Sequence, residues 1–288
     1  MILATAKRAG RKMRRAVRAS PLYIRHRSEA VNVYHVSLPR SGSQWVRGVL
    51  RDERVHRYSG LGYFNYLGRF PNQNDPRKLT ERIETEPFPD GRIASPLYFG
   101  FESFSSIPKP AAYRAFFVSR DPRDLLVSWY FSMQKTHELK GLVSTWRAEL
   151  QRLPMEEGLM YSIRAMDRDL DLFEAMRSWI PAPKADANVH LVRYEDLAGP
   201  DAAEAFRRLF DHCDIPLPPS QLARLVSDHS FEKKTGRSRG QEDRTSQNRK
   251  GVSGGWKNHL DEKVLAELED YAGDLIQHFG YDADPKTR

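Results

Sequence analysis

Apolar residues along this chain fall into short dense runs and longer stretches with helical spacing. Residues 31–37 are a dense run closed by Pro39 and Gly42 and predict a central strand. Residues 43–54 carry Trp45, Val46 and Val49 near one face and predict a helix. Residues 92–101 have strand character broken by Pro96. Residues 113–120 ("YRAFFVSR") predict a second clear strand, and Asp121-Pro122 then opens a helix with proline in its first turn. Residues 188–194 ("NVHLVRY") predict a third. Helices are predicted over 169–180, 201–213, 219–228 and 261–279, the last stopped by Gly280. Residues 58–90 show no sustained period, and 58–90 and 137–166 are both expected to be loops shaping an acceptor site. Residues 235–255 are polar and Gly-rich, which predicts a mobile surface segment.

Strands alternating with helices predict an α/β fold: a single P-loop-like domain whose central parallel sheet is flanked by helices on both faces. The expected division is a basic arm over residues 1–29 and one domain over 30–288. The 288 residues are 40% hydrophobic, enough for a substantial core. No apolar run is long enough to span a bilayer. A lone cysteine, Cys213, excludes an intrachain disulfide and a Cys-based zinc site, and fits a reducing compartment. The nine Lys and Arg of residues 1–27 account for the whole net charge of +8, so the rest of the chain is near neutral. That arm has no apolar signal core. It reads as a solvated tail, an organelle-targeting segment, or a contact with an anionic membrane surface.

The first strand runs into a small-residue turn and a helix in "YHVSLPRSGSQWV", residues 34–46. Small Ser41, Gly42 and Ser43 let backbone wrap an anion at a helix N-terminus, and Arg40 adds a fixed cation. The Lys-Ser/Thr pair of an ATP-binding loop is absent.

"LPRSGSQW" resembles the phosphosulfate-binding loop, Pro-Lys-Ser-Gly-Thr-Thr-Trp, of sulfotransferases that use 3′-phosphoadenosine 5′-phosphosulfate (PAPS). Arg40 stands for the Lys, Ser43 and Gln44 for the Thr pair, and Trp45 is kept. "VSRDPRDLLVSWY" is similar to the family's 3′-phosphate motif through Arg120 and Ser128. "RKGVSGGWKNHL" is similar to its C-terminal segment through Arg249, Lys250 and Gly251, with Gly255 where Asp is usual. Tyr194 in "VRYEDL" and Phe231 in "HSFEK" match residues that line the adenine pocket. The resemblance spans residues 38–260 and implies a cytosolic-type sulfotransferase. It implies PAPS as donor with no obligatory metal, no nucleic-acid partner, a small-molecule, lipid or carbohydrate acceptor, and a cytoplasmic location that the arm leaves open to peripheral membrane contact. Arg40 would neutralise charge on the leaving oxygen. The family's strand-end His is missing, so the general base is Glu102, expected in an apolar, aromatic surround, or His56. Rival readings are a P-loop nucleotide kinase or NTPase and a non-catalytic relative that binds anions or nucleic acid.

Overall fold

The computed structural model describes residues 23–70, 75–243, 246 and 248–281. Its sheet holds strands β1 (Asn32–Ser37), β2 (Gly62–Phe64), β3 (Arg92–Leu97), β4 (Tyr113–Ser119) and β5 (Val189–Arg193). They are all parallel, in the order β2-β3-β1-β4-β5. The helices are α1 (Ser43–Leu50), α2 (Glu53–Arg57), α3 (Phe101–Ser105), α4 (Pro122–Phe131), α5 (Val143–Arg152), α6 (Met155–Leu170), α7 (Leu172–Ser178), α8 (Ala182–Ala185), α9 (Tyr194–Ala198), α10 (Ala202–His212), α11 (Pro219–Asp228), α12 (Phe231–Thr235) and α13 (Glu262–His278).

Alternate residues of the central strands enter two separate cores. Tyr34, Val36, Ala115 and Phe117 pack with α4, α6, α7 and α13 through Leu126, Ile163, Met176 and Leu268. Val33, Phe116, Val118 and Val192 pack with α1, α10 and α11 through Val46, Phe206 and Leu225. Burial on both faces explains why these strands read as continuous apolar runs rather than alternating ones. Pro96 sits inside β3 because the ladder skips there: Tyr34 pairs with Ala94 but Val36 with Leu97, and β2 has already ended opposite Ala94. A residue without an N–H is accommodated where no partner needs one.

Three expectations change. The helix over 43–54 is two helices, because the Asp52 side chain accepts from Arg54 N and caps α2. The helix over 169–180 breaks at Asp171, which has a left-handed backbone, φ 50°. Residues 137–166 are mostly helical rather than a loop. The buried face of α6 uses Gly158, Ser162 and Ala165 besides Leu159, Ile163 and Met166, so large apolar residues alone do not mark it.

Residues 58–90 are largely irregular but pinned by a buried polar network. Tyr66 donates to Glu84 (2.8 Å), Arg77 pairs with Asp75 (2.8 Å), and Arg82 donates to the carbonyls of Asp75, Arg77 and Tyr98. Of the basic arm, residues 1–22 lie outside the described residues. Residues 25–29 are tied to the domain by Arg25 N to Arg57 O and by His26 to Asp214 at 3.1 Å. No helix among the described residues is long and apolar enough to cross a membrane.

Candidate active site

β1 ends in a loop that carries two left-handed residues, Arg40 (φ 71°) and Gly42 (φ 78°), and then enters α1. Holding a non-glycine residue there costs about 1–2 kcal/mol, a strain retained where backbone amides must converge. The reason lies across the loop. The Arg40 carbonyl accepts from Arg120 Nη1 at 2.8 Å, and the Arg40 Nε donates to Ser128 Oγ at 3.3 Å. The ends of β1 and β4 and the middle of α4 are thereby joined around one hollow.

Gly42 is required by contact as well as by conformation. A Cβ there would lie 2.4 Å from Cδ2 of Tyr194. The Tyr194 ring in turn supports Arg120, whose guanidinium carbon is 4.8 Å from the ring centre. Trp45 meets Tyr194 edge-on at 5.9 Å and Phe206 at 5.7 Å, and its indole N–H donates to His229 O at 2.7 Å. Two residues on, Phe231 lies so close to Gly251 that a Cβ there would be 2.4 Å from the ring. Trp45 and Tyr194 thus form one aromatic wall. Phe231 belongs to the segment bonded to it, and packs against the backbone of the Arg249–Lys250–Gly251 stretch.

Arg249 lies over Phe131, 4.7 Å from the ring centre and one turn along α4 from Ser128. It also contacts Glu242 and His259. Burial, then Arg120, and in smaller part Arg249, lower the Arg40 guanidinium to about 10, still charged at neutral pH. Arg120 and Arg249 are therefore each near enough to Arg40 to repel its guanidinium, which an anion between them would relieve. Two buried donors point the same way, since Ser41 Oγ and Arg120 Nε have no hydrogen-bond partner. Lys250 is partly exposed in the same stretch, and its carbonyl accepts from Gly240 N.

The sequence reading did not single out Asp124, whose carboxylate accepts from Gly254 N and from Trp256 N (3.0 Å). It caps the turn Gly255–Asn258 from α4. Glu195 was missed too. Its Oε1 accepts from Asp121 N at 3.1 Å, its Oε2 is buried without a partner, and burial pushes its carboxyl up to about 7 against the pull of Arg120.

The profile of the sulfotransferase domain matches residues 32–280. The chain belongs to this family. It is similar to mouse sulfotransferase 2A2, 25% identical over 75% of this chain and 68% of that protein. Human sulfotransferase 2A1 is 25% identical over 83% and 81%. Among solved structures it resembles mouse sulfotransferase SULT7A1 complexed with PAP, with a TM-score of 0.53, 17% identity and coverage of 88% and 87%. It also resembles retinol dehydratase in complex with androsterone and the inactive cofactor PAP, with a TM-score of 0.52, 19% identity and coverage of 88% and 82%. These two likenesses agree with the parallel α/β fold.

As a sulfotransferase the chain differs from expectation around the base. Glu102 stands in the first turn of α3, just beyond the C-terminal end of β3 and so at the cradle's end of the sheet. Its side chain is exposed, not enclosed by aromatics. His56 is at the wrong end: its Nδ1 bonds Leu61 O at 2.8 Å, beside the first residue of β2. Parallel strands put that edge a sheet's length from the loop after β1, so His56 is withdrawn as the second candidate. Tyr98, neither a carboxylate nor an imidazole, reaches the cradle directly. Its hydroxyl is 2.7 Å from Ser43 Oγ and 3.2 Å from Gln44 Nε2.

Proposed function

We propose that this sulfotransferase moves the sulfuryl group of PAPS to a hydroxyl or amine of a small-molecule, lipid or carbohydrate acceptor by in-line displacement. The observation that carries the reading is the pair of unpartnered buried donors, Ser41 Oγ and Arg120 Nε, among the guanidiniums of Arg40, Arg120 and Arg249. The residues fit the donor nucleotide. Arg40, Ser41, Gly42, Ser43 and Gln44 would hold the phosphosulfate at the N-terminus of α1. Arg120, Ser128, Arg249, Lys250 and Gly251 would hold the 3′-phosphate, and Trp45, Tyr194 and Phe231 the adenine. PAPS supplies an activated sulfuryl group on a phosphate leaving oxygen. Arg40, charged and bonded through Nε to Ser128, is a fixed cation for that oxygen rather than a proton donor.

Glu102 is the proposed base, close enough in sequence to the end of β3 to face an acceptor and exposed enough to return its proton to water. Glu102→Gln is expected to abolish turnover while leaving PAP binding intact; unchanged turnover removes Glu102 from the mechanism. The androsterone held by the retinol dehydratase neighbour makes hydroxysteroids the first acceptors to try. The decisive experiment is a thermal shift with PAP against ATP and Mg²⁺. Stabilisation by PAP is expected, and stabilisation by ATP alone would replace this reading with a nucleotide kinase or NTPase.

A further inference from the structure

We propose that Tyr98 is a catalytic residue of the transfer, a hydrogen-bond donor from the acceptor side of the cradle to the sulfuryl oxygens. The inference rests on the sulfotransferase reading and deepens it. β3 lies parallel to β1 and its last residue, Leu97, pairs with Val36. Tyr98 therefore leaves the sheet at the same end as the anion loop. Its hydroxyl spans to the first turn of α1, where helix amides are unpaired and face a bound anion. Gln44 Nε2 donates to that hydroxyl, so a lone pair is used and the phenolic O–H remains to donate. Ser43 Oγ lies 2.7 Å from the same hydroxyl, and either oxygen can donate in that contact; with a sulfuryl group in the cradle, Ser43 and Tyr98 could each turn a hydroxyl proton toward it.

The turn that carries the ring is fixed on several sides. Arg82 Nη1 donates to Tyr98 O at 2.8 Å and Trp179 Nε1 to Phe99 O at 2.9 Å. Gly100 N donates to Leu79 O at 2.9 Å and Phe101 N to Ser178 Oγ at 2.8 Å. Arg82 is only 5% exposed, yet it donates to three carbonyls. Its Nε and Nη2 bonds go to Arg77 O and Asp75 O, and Asp75 lies 3.5 Å away as its counter-charge, so Arg82 ties the turn of Tyr98 to the 75–77 segment.

In the transfer, sulfur loses its bond to the phosphate oxygen, which keeps the electron pair, and gains one to the acceptor's oxygen or nitrogen. The acceptor's proton goes to the base or to water. The sulfuryl oxygens carry negative charge throughout, and Tyr98 stabilises one of them while keeping its own proton.

The test is Tyr98→Phe in the full chain, which keeps the ring and removes the hydroxyl. PAP affinity by calorimetry, thermal unfolding, and release of label from ³⁵S-PAPS with water, 2-naphthol and androsterone as acceptors are measured together. PAP affinity within about twofold and unfolding within a few degrees of wild type, with transfer slowed about 10²-fold, is the expected result. Transfer at the wild-type rate overturns the proposal. So does a loss of transfer matched by an equal loss of PAP affinity, which would make Tyr98 a strut for α1. Failure of the wild-type chain to bind PAP is a separate outcome, and it overturns the sulfotransferase reading on which this inference rests.

Discussion

Replacing Gly42 by alanine tests the geometry of the cradle most directly. The residue has φ 78°, and a left-handed backbone costs an alanine about 1–2 kcal/mol. Its Cβ would also sit 2.4 Å from Cδ2 and 2.6 Å from Cε2 of Tyr194. Comfortable carbon contacts are about 3.5–4.0 Å, so the ring must retreat by about 1 Å. It has little room, with Arg120 over one face and Trp45 against its edge. Overpacking of this kind adds about 1–3 kcal/mol, giving about 2–5 kcal/mol in all. Gly91→Ala is the control, because its φ is 71° but nothing lies within 4 Å of the added carbon. It should lose only the backbone share, about 1–2 kcal/mol. Urea unfolding of both variants separates the two contributions, and calorimetry with PAP reports the cradle. Gly42→Ala should lose at least about tenfold in PAP affinity, a factor equal to 1.4 kcal/mol, while Gly91→Ala should lose none. Equal unfolding midpoints with wild-type PAP affinity in both would refute the contact between Gly42 and Tyr194 as a determinant of the site.

Two further outcomes follow from the same cluster. Glu195 is held at about 7 in the folded chain, above its ordinary 4.5, so the folded state binds the proton more tightly. The resulting stabilisation is complete below about pH 4.5 and is lost as pH rises through 7, a swing of about 3 kcal/mol; Glu195→Gln should remove that slope in urea unfolding at pH 5 and pH 8. Arg120 directs Nη1 to the Arg40 carbonyl while Nε stays open for a ligand, a division only a planar fork can make. Arg120→Lys should therefore weaken PAP binding by about 10–100-fold with little change in melting temperature, and calorimetry beside a thermal melt measures both.

What the sequence could announce depended on how local the physics was. Residues 34–46 revealed the cradle because a strand, a turn of small residues and a helix start are consecutive there. Arg120 and Ser128 could be named together because eight residues separate a strand end from the second turn of one helix, the spacing of the 3′-phosphate motif that this stretch resembles. The hidden face of α6 was not, because small residues form it and carry no apolar signal. Nor was the break at Asp171, where an aspartate takes a backbone conformation that composition does not predict.

The sequence by itself determined the class of fold, the places of the main strands and of several helices, the family and the basic residues available to an anion. Only the tertiary structure decided which of those residues meet. It put His56 at the far edge of the sheet and brought Tyr98 onto Ser43 and Gln44, across 55 and 54 positions of chain. The physical reason is that parallel pairing fixes which strand ends coincide. No residue near Tyr98 encodes that β3 will lie beside β1, because the long crossover and the bulge at Pro96 that set the register are properties of the assembled sheet.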